Sequence, residues 1–532
     1  MNRLPQYKLF IISKHMRYYM LKTNKGQSEM LFNPLAMNTL LRLNKTHMDY
    51  CTGLLEQSKD FSSAYLTASA YFWETEFNRT FFEASPPSLE QLCQLGGFNS
   101  ELFFKSLMGL SGVLYRFSEL ETNDSMQAWL QFINESDPTL MNRLLNRHEI
   151  MLKTLCHDYP RAIEDIEPEY GFHFEKGKGK KVAETNRFDL YEVFPSDPKV
   201  ETRKNGKPVI IIPPYVLGAN ILSFLPNENR SYAHCFANQG IPTYIRIMKP
   251  VHHNPAVQIL RGEDDVNDTQ YFCETVMKNH GKQVTLNGYC QGGFSALCGL
   301  LTGNLDDLVD CLITCVSPMD GTRSKGLGAF LKKLPNRYND LLYGTKMLPN
   351  GNQIADGKLM GWVYKIKSID MESPIIAFFR NLMMFRPKEG QTEIPISKSA
   401  AAINYWLQNE RTDLPLEITR MSFASYNTPI TSEGTLPIQL FGEKLNLKRM
   451  QERKIPWLIC YGDRDDLVEK EAALAPLDFV EAETSAFPKG HVAIATSWSN
   501  PNSACALHTR FGDNGYRRGP VRFQLDIDTS LD

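Results

Sequence analysis

The sequence predicts an α/β fold built on a mostly parallel, doubly wound sheet, preceded by a mainly helical domain. Two observations predict it. From about residue 185, short apolar runs alternate with segments of helical spacing, which is typical of strands covered by helices on both faces. In addition, the segment VTLNGYCQGGFSALCGLL (284–301) joins an apolar strand to a small-residue helix through a glycine-flanked cysteine. A cysteine therefore stands at the carboxyl edge of the predicted sheet.

The N-terminal part, residues 1–170, has helical periodicity without β punctuation, as in MQAWLQFINESDPTLMNRLLNRHEIMLKTL. This pattern predicts a mainly helical domain. The first residues, MNRLPQYKLFIISKHMRYYM, contain an apolar run of only four residues, Leu9 to Ile12, which is too short for a secretory signal. No window approaches the ~20 apolar residues of a membrane-spanning helix. We therefore expect a cytoplasmic protein.

The composition excludes several classes of partner and cofactor. Net charge is -2 over 532 residues, with 22% charged and 42% hydrophobic residues, so no global field indicates a nucleic-acid partner. The 11 cysteines lie mostly in apolar runs and form no CxxC pair. This distribution predicts reduced, packed thiols and no metal site.

A catalytic core is predicted in two parts, at 185–318 and 455–532. The stretch FEKGKGKKVAETN (174–186) is better explained as a solvated linker or hairpin tip than as a basic phosphate-binding patch. The core strands after it are near-continuous apolar runs or alternate like a half-exposed strand. They are predicted at 187–195, 208–215, 242–248, 283–290, 310–318 and 456–463.

A cap or lid is predicted between the two parts of the core, at 319–454. This interval is far longer than an ordinary crossover and is rich in aromatic residues and Met, for example PIIAFFRNLMMFRP. Most of these side chains are expected in the cap's own core, and a minority could line an apolar tunnel.

The cysteine of the opening motif is the predicted nucleophile. Residues 288–292 match G-x-C-x-G, the thiol version of the nucleophile elbow. The turn places Cys290 at a helix N-terminus, where the dipole favours thiolate, and the backbone N–H of Gln291 would face a developing oxyanion. The other cysteines of the apolar runs are expected to be structural; they are Cys298, Cys311, Cys315 and Cys460.

A thiol nucleophile needs a base and an orienting acid. His491, in a glycine-preceded turn (KGHVA), is the predicted base, whereas His508 lies in a polar tail. The acid should follow the strand IPWLICYG, where DRDDLV offers three aspartates. Many α/β-hydrolases carry Gly-x-x-Asp-x-x-Val here, a spacing that selects Asp465, with Asp466 as the alternative. Any of the three, Asp463 included, could instead serve turn chemistry.

The second oxyanion donor is expected from the loop after PVIIIPPY. Pro213 and Pro214 have no N–H, which leaves the amide of Tyr215 or, as second choice, Val216. The adjacent His252 and His253 precede the nucleophile and have no third ligand at metal-binding spacing.

At residues 185–500 the chain resembles the polyhydroxyalkanoate synthases. GYCQGG resembles their cysteine lipase box, DRDDLV their acid motif, KGHVA their histidine motif and NYWLQNERTDLP a cap segment. VIIIPPYVLGANILSFLPNENRSYAHCFANQGIPTYIRI resembles their double-proline region. Two positions depart from the family: Asp466 stands where it has histidine, and Glu469 where it has proline.

The resemblance implies an α/β-hydrolase fold and an acyltransferase that moves (R)-3-hydroxyacyl groups from coenzyme A onto a growing polyester. Cys290 would hold the acyl or polymer chain as a thioester, His491 would deprotonate the thiol or the incoming 3-hydroxyl, and Asp465 would support the histidine. Acyl-CoA is then a substrate, and no cofactor is expected. A homodimer and association with a polyester granule are also implied.

Two alternatives stay open from the sequence. One is a cysteine-dependent hydrolase of the same fold: a thioesterase, an esterase or lactone hydrolase, or a polyester depolymerase. The other is a non-enzymatic homologue at a granule, against which the intact Cys–Asp–His set argues.

Overall fold

A computed structural model describes residues 34–56, 58, 89–326, 328, 345–357, 360–361, 367–410 and 412–497. The N-terminal basic stretch and His508 lie outside the described residues. These residues separate into two compact units. The first takes residues from Met1–Ser63, Lys105–Pro160 and Asp370–Pro395, and the second from the rest of the chain.

Both units contain α-helices, which are numbered here in chain order. They are α1 (34–56), α2 (Leu89–Glu135), α3 (Thr139–Lys153), α4 (Tyr159–Asp165), α5 (Tyr232–Ala237), α6 (Pro255–Gln258), α7 (Gly262–His280), α8 (Gln291–Thr302), α9 (Ile369–Glu372), α10 (Pro374–Met384), α11 (Lys398–Asn409), α12 (Leu416–Asn427), α13 (Lys448–Glu452), α14 (Lys470–Ala473) and α15 (Ala493–Thr496).

The strands belong to the second unit. They are β1 (Gly179–Glu184), β2 (Phe188–Val193), β3 (Val209–Ile212), β4 (Thr243–Met248), β5 (Val284–Tyr289), β6 (Val309–Cys315), β7 (Thr345–Met347), β8 (Gln353–Ala355), β9 (Leu414–Pro415), β10 (Thr435–Leu440), β11 (Glu443–Asn446), β12 (Trp457–Gly462) and β13 (Glu483–Phe487).

The first unit is helical in its described part and combines a small apolar core with polar contacts. Ala128, Met141 and Leu145 form a buried cluster between α2 and α3. Arg147 lies 2.7 Å from Asp124, an ion pair that joins the same two helices. No described helix of either unit is long and apolar enough to cross a bilayer.

The second unit is organised around an eight-stranded sheet in the order β1-β2-β4-β3-β5-β6-β12-β13. β1 and β2 pair antiparallel, as do β2 and β4, and the remaining pairs are parallel. β3, β5 and β6 are buried almost throughout, because helices cover both faces of the sheet. This is the strand order of the α/β-hydrolase fold, and the predicted fold class is confirmed.

One segment differs from its prediction. Within 174–186, expected to be a linker or hairpin tip, Gly179–Glu184 forms edge strand β1 and pairs with β2. Exposed lysines on an edge strand resemble a solvated loop in sequence, because charged side chains are what edge strands carry to resist further pairing.

The parallel register determines where the functional side chains meet. In parallel strands the carboxyl ends lie at one edge of the sheet, where α/β proteins bind their ligands. The loops after β3, β5, β12 and β13 carry Tyr215, Cys290, Asp465 and His491 respectively. The domain boundaries drawn from the sequence stay predictions.

Candidate active site

Cys290 occupies a strained turn between β5 and α8. Its backbone has φ 53° and ψ −122°, a region that non-glycine residues rarely adopt and that costs roughly 1–3 kcal/mol. Its N–H donates to the carbonyl of Cys315 over 2.8 Å, so the β5–β6 ladder continues to the cysteine itself. The strain is therefore maintained by the sheet on one side and by the helix on the other.

The flanking glycines are required by close backbone contacts. A Cβ on Gly288 would lie 2.2 Å from the Cα of Gly293, and one on Gly292 would lie 2.2 Å from the carbonyl oxygen of Ile212. Both separations are well inside van der Waals contact. The G-x-C-x-G spacing thus lets the first turn of α8 approach the end of β3.

His491 is held by Asp465. Nδ1 of His491 lies 2.8 Å from Oδ2 of Asp465, whose side chain is completely buried. Oδ1 of Asp465 accepts the N–H groups of Leu467 and Val468, each over 2.9 Å. The hydrogen bond to the carboxylate indicates that Nδ1 carries a proton, which leaves Nε2 to exchange one.

The other ring nitrogen of His491 is buried and has no hydrogen-bond partner among the described residues. Burial lowers the pKa of His491, but the negative charge of Asp465, and after it that of an ionised Cys290, raise it by more, so the pKa rises from 6.5 to about 10. Cys290 is therefore close enough to act on this ring electrostatically. Catalytic hydrogen bonds are often long before substrate binds.

Tyr289 fixes the loop that carries the histidine. Its hydroxyl donates to the carbonyl of His491 over 2.7 Å, and the two rings meet edge to face with centroids 6.3 Å apart. The residue before the cysteine thus positions the histidine, although the two are 202 positions apart in the chain.

The predicted oxyanion donors lie at the contact between α8 and the loop after β3. The side-chain Oε1 of Gln291 accepts the N–H of Val216 over 3.0 Å, so this amide is already occupied. The amides of Gln291 and Tyr215 have no acceptor among the described residues. Of the two loop donors considered, Tyr215 is the one whose N–H stays available.

A buried ionic network also stabilises the contact between α8 and the loop after β3. Arg246 pairs with Asp265 over 2.7 Å and donates to the hydroxyl of Tyr215 over 2.9 Å. Asp265 also accepts the hydroxyls of Tyr215 and of Ser295, which lies on α8. Removing one partner of such a network would leave a buried charge uncompensated. The network therefore ties the loop after β3 to the helix of the nucleophile.

The remaining sequence candidates point elsewhere. The side chain of Asp466 is 79% exposed and pairs with Lys367 over 3.2 Å, and Asp463 is exposed. His252 pairs with Asp413 over 2.7 Å. Among the described residues, no group of three or more His, Cys, Asp or Glu is arranged to hold a metal ion.

Sequence reasoning missed the positioning residues around the triad. The sequence indicates a role for Gln291 through its backbone N–H alone, and it indicates no role for Tyr289 or Arg246. Gln291 and Tyr289 could have been suspected because they flank the nucleophile. Nothing in the sequence pairs Arg246 with Asp265, because the contact depends on the packing of α7 against the sheet.

Together, the sheet order, the strained turn and the Asp465–His491 pair define an α/β-hydrolase-fold protein with cysteine at the elbow. No family model matches the chain, and no curated protein matches it. Among solved structures it is similar to a carboxylesterase from Bacillus subtilis (10% identity, 64% of this chain and 93% of that chain, TM-score 0.29). It is also similar to the thioesterase domain from the curacin biosynthetic pathway (12% identity, 60% and 94%, TM-score 0.32). A third is a meta-cleavage product hydrolase from Pseudomonas fluorescens IP01 (11% identity, 59% and 91%, TM-score 0.30).

Proposed function

We propose that this chain is a cysteine acyltransferase of the polyhydroxyalkanoate synthase type, which moves (R)-3-hydroxyacyl groups from coenzyme A onto a growing polyester. The observation that carries the proposal is the buried Nε2 of His491, which has no partner among the described residues and is next to a cysteine in a nucleophile elbow. Cys290 is the nucleophile, His491 the base and Asp465 the orienting acid.

In the loading step, Nε2 of His491 holds the proton that Cys290 gives up, and the sulfur of Cys290 attacks the thioester carbonyl of acyl-CoA. The carbon–sulfur bond to coenzyme A breaks, and the departing thiolate takes the proton from His491. One thioester replaces another, so the acyl group keeps its activation. The N–H groups of Gln291 and Tyr215 stabilise the oxyanion formed on the way.

In the transfer step, a chain-end hydroxyl gives its proton to Nε2 of His491 and its oxygen attacks the Cys290 thioester. A carbon–oxygen ester bond forms, the carbon–sulfur bond breaks, and the sulfur of Cys290 regains the proton. Asp465 stays hydrogen-bonded to Nδ1 throughout and stabilises the imidazolium. Both steps balance without a cofactor.

A thiol suits this sequence of steps better than a hydroxyl. The sulfur of Cys290 is at a helix N-terminus, beside a histidine that can take its proton. Burial raises the pKa of Cys298 and of Cys311, so both stay protonated. The reactive position is thus distinguished by its surroundings and not by residue type.

The test compares two substrates that differ in a single hydroxyl. With (R)-3-hydroxybutyryl-CoA we expect many equivalents of coenzyme A and an insoluble polyester. With butyryl-CoA, which lacks the accepting hydroxyl, we expect about one equivalent of coenzyme A per chain. Steady turnover of both substrates to free acids would show a hydrolase and overturn the proposal. Absence of both polymer and acid would overturn it as well.

The resemblance supports two further proposals of association, a homodimer and attachment to a polyester granule in the cytoplasm. Sedimentation of the full chain with and without polyester particles tests both.

A further inference from the structure

A cavity of about 360 Å³ lies at the carboxyl ends of β3 and β4, within the second unit. Its wall includes residues from 167–175, from the loop 213–220 and from the region of Tyr405 and Glu410. Cys290, Asp465 and His491 do not line it. The loop that carries Tyr215 forms part of its wall, at the same edge of the sheet as the triad.

Glu410 is a charged group of this cavity with no counter-charge among the described residues. Its Oε1 accepts the side-chain amide of Asn220 over 2.9 Å. Its Oε2 packs against Gly218, where a Cβ would lie 2.7 Å from that oxygen. No Lys, Arg or His among the described residues pairs with it. Burial raises the pKa of Glu410, which the Asn220 amide only partly offsets. A carboxylate taken out of water without a cation is strongly disfavoured.

Aromatic rings form the walls around this carboxyl group. Tyr170 is only 3% exposed, and its hydroxyl has no hydrogen-bond partner among the described residues. The rings of Tyr170 and Tyr405 are tilted at 59° with centroids 5.4 Å apart. Burial, and then the charges of Glu410 and Tyr405, raise the pKa of Tyr170, so its hydroxyl is near the carboxylate. A carboxyl group and two tyrosine rings that line one cavity are a chemical match for an organic ammonium ion.

The remaining charges of the wall leave the cavity acidic. Glu167 and Glu175 also line it. Both ring nitrogens of His173 already have hydrogen-bond partners. Nδ1 lies 3.1 Å from Oε1 of Glu175, and Nε2 lies 3.1 Å from the carbonyl oxygen of Glu167. Arg246 faces its own partner, Asp265, and packs over the Phe188 ring at 4.3 Å, although its Nε has no partner among the described residues.

We propose that this cavity binds a small organic ammonium ion, with Glu410 as the counter-charge and the rings of Tyr170 and Tyr405 as its aromatic walls. The volume suits a ligand of modest size. The proposal does not depend on the acyl-transfer reaction, since no triad residue takes part in it.

The test is calorimetric titration of the full chain with choline, with butylammonium and with 3,3-dimethylbutan-1-ol, the uncharged isostere of choline. We expect one or both cations to bind at least about tenfold more tightly than the alcohol. The uncharged isostere can make neither the cation–π interaction nor the ion pair. Equal binding of cation and alcohol, or no binding by either cation, would overturn the proposal. So would tighter binding of acetate, which would assign the site to the free Nε of Arg246.

Two variants and a matched control locate the binding. Glu410→Gln keeps shape and amide contact but removes the charge, and should weaken cation binding at least about tenfold. Tyr170→Phe keeps the ring and should weaken it only a few-fold. Glu443→Gln removes the same formal charge from an exposed position at the start of β11, and it should leave cation binding unchanged. Unchanged affinity in a folded Glu410→Gln variant would refute the assignment. Cys290→Ala should bind the cation like the parent chain, so loss of catalysis and loss of this site can be told apart.

Discussion

Two carboxyl groups stand at the same edge of the sheet, Asp465 buried and Glu410 half-buried, and their surroundings differ. Asp465 receives three donors: the N–H groups of Leu467 and Val468 and the ring of His491. Among the residues that the structure describes, Glu410 receives one, from Asn220. Donors from the chain itself compensate the first carboxylate, whereas the second needs a ligand or a proton. Burial alone therefore does not identify a catalytic acid; the number and origin of its donors do.

The largest expected effect comes from removing the nucleophilic thiol of Cys290. Cys290→Ala should reduce release of coenzyme A by a factor on the order of 10⁴ or more, because the covalent intermediate cannot form. Cys298→Ala, which changes a buried cysteine on the same helix, is the control and should retain most activity. A Cys290→Ala variant with substantial turnover would refute the mechanism.

The second test distinguishes Asp465 from the adjacent Asp466 as the acid of the triad. Asp465→Asn should reduce the rate about 10²–10⁴-fold, because the amide orients the imidazole without stabilising its charge. Asp466→Asn should remain within about twofold of the parent rate, because its exposed side chain contacts Lys367 and not His491. Rates of coenzyme A release for the two variants decide the matter. The reverse pattern would make Asp466 the acid.

A smaller effect is expected from the contact between Gln291 and Val216. Gln291→Leu leaves a buried N–H without an acceptor, which costs about 1–3 kcal/mol, and it loosens the loop that presents Tyr215. We expect kcat to fall about tenfold. Gln291→Glu, which keeps an acceptor for the same N–H, should retain more activity than Gln291→Leu. Equal losses would show that the hydrogen bond does not position the loop.

The sequence was sufficient to predict those parts of the fold and of the site that have strong local patterns. Buried parallel strands are continuous apolar runs, so β3 and β5 lie inside their predicted bounds. The elbow and the Asp465–His491 contact followed from motif spacing. Strand β1 was missed because its charged residues resemble a loop.

Contacts between distant positions could not be predicted from the sequence. Asn220 and Glu410 are 190 positions apart. Both lie in segments that resemble the family, in the double-proline region and the cap segment, but nothing in either segment pairs them. Their meeting depends on how α11 packs against the loop after β3, which no local pattern encodes. The same holds for Tyr289 and the carbonyl of His491.

The last expected effect is on stability and not on rate: the free energy of unfolding depends on pH. The folded protein raises the pKa of His491 from 6.5 to about 10, despite burial, through Asp465 and Cys290. Between these values the folded state binds a proton that the unfolded state has released. The stabilisation is thus complete below pH 6.5 and is lost as pH rises through about 10.

The free energy of unfolding should therefore fall by at most about 1.4 kcal/mol per pH unit across this window, the limit for one proton. Urea denaturation of the parent chain and of His491→Gln at several pH values measures it. The fall should be shallower in the variant, which has no imidazole to titrate. In Cys290→Ala the fall should begin at lower pH, since one of the charges that raise the pKa of His491 is gone. Superimposable profiles for the parent and His491→Gln would mean that Asp465 and Cys290 do not hold a proton on the histidine.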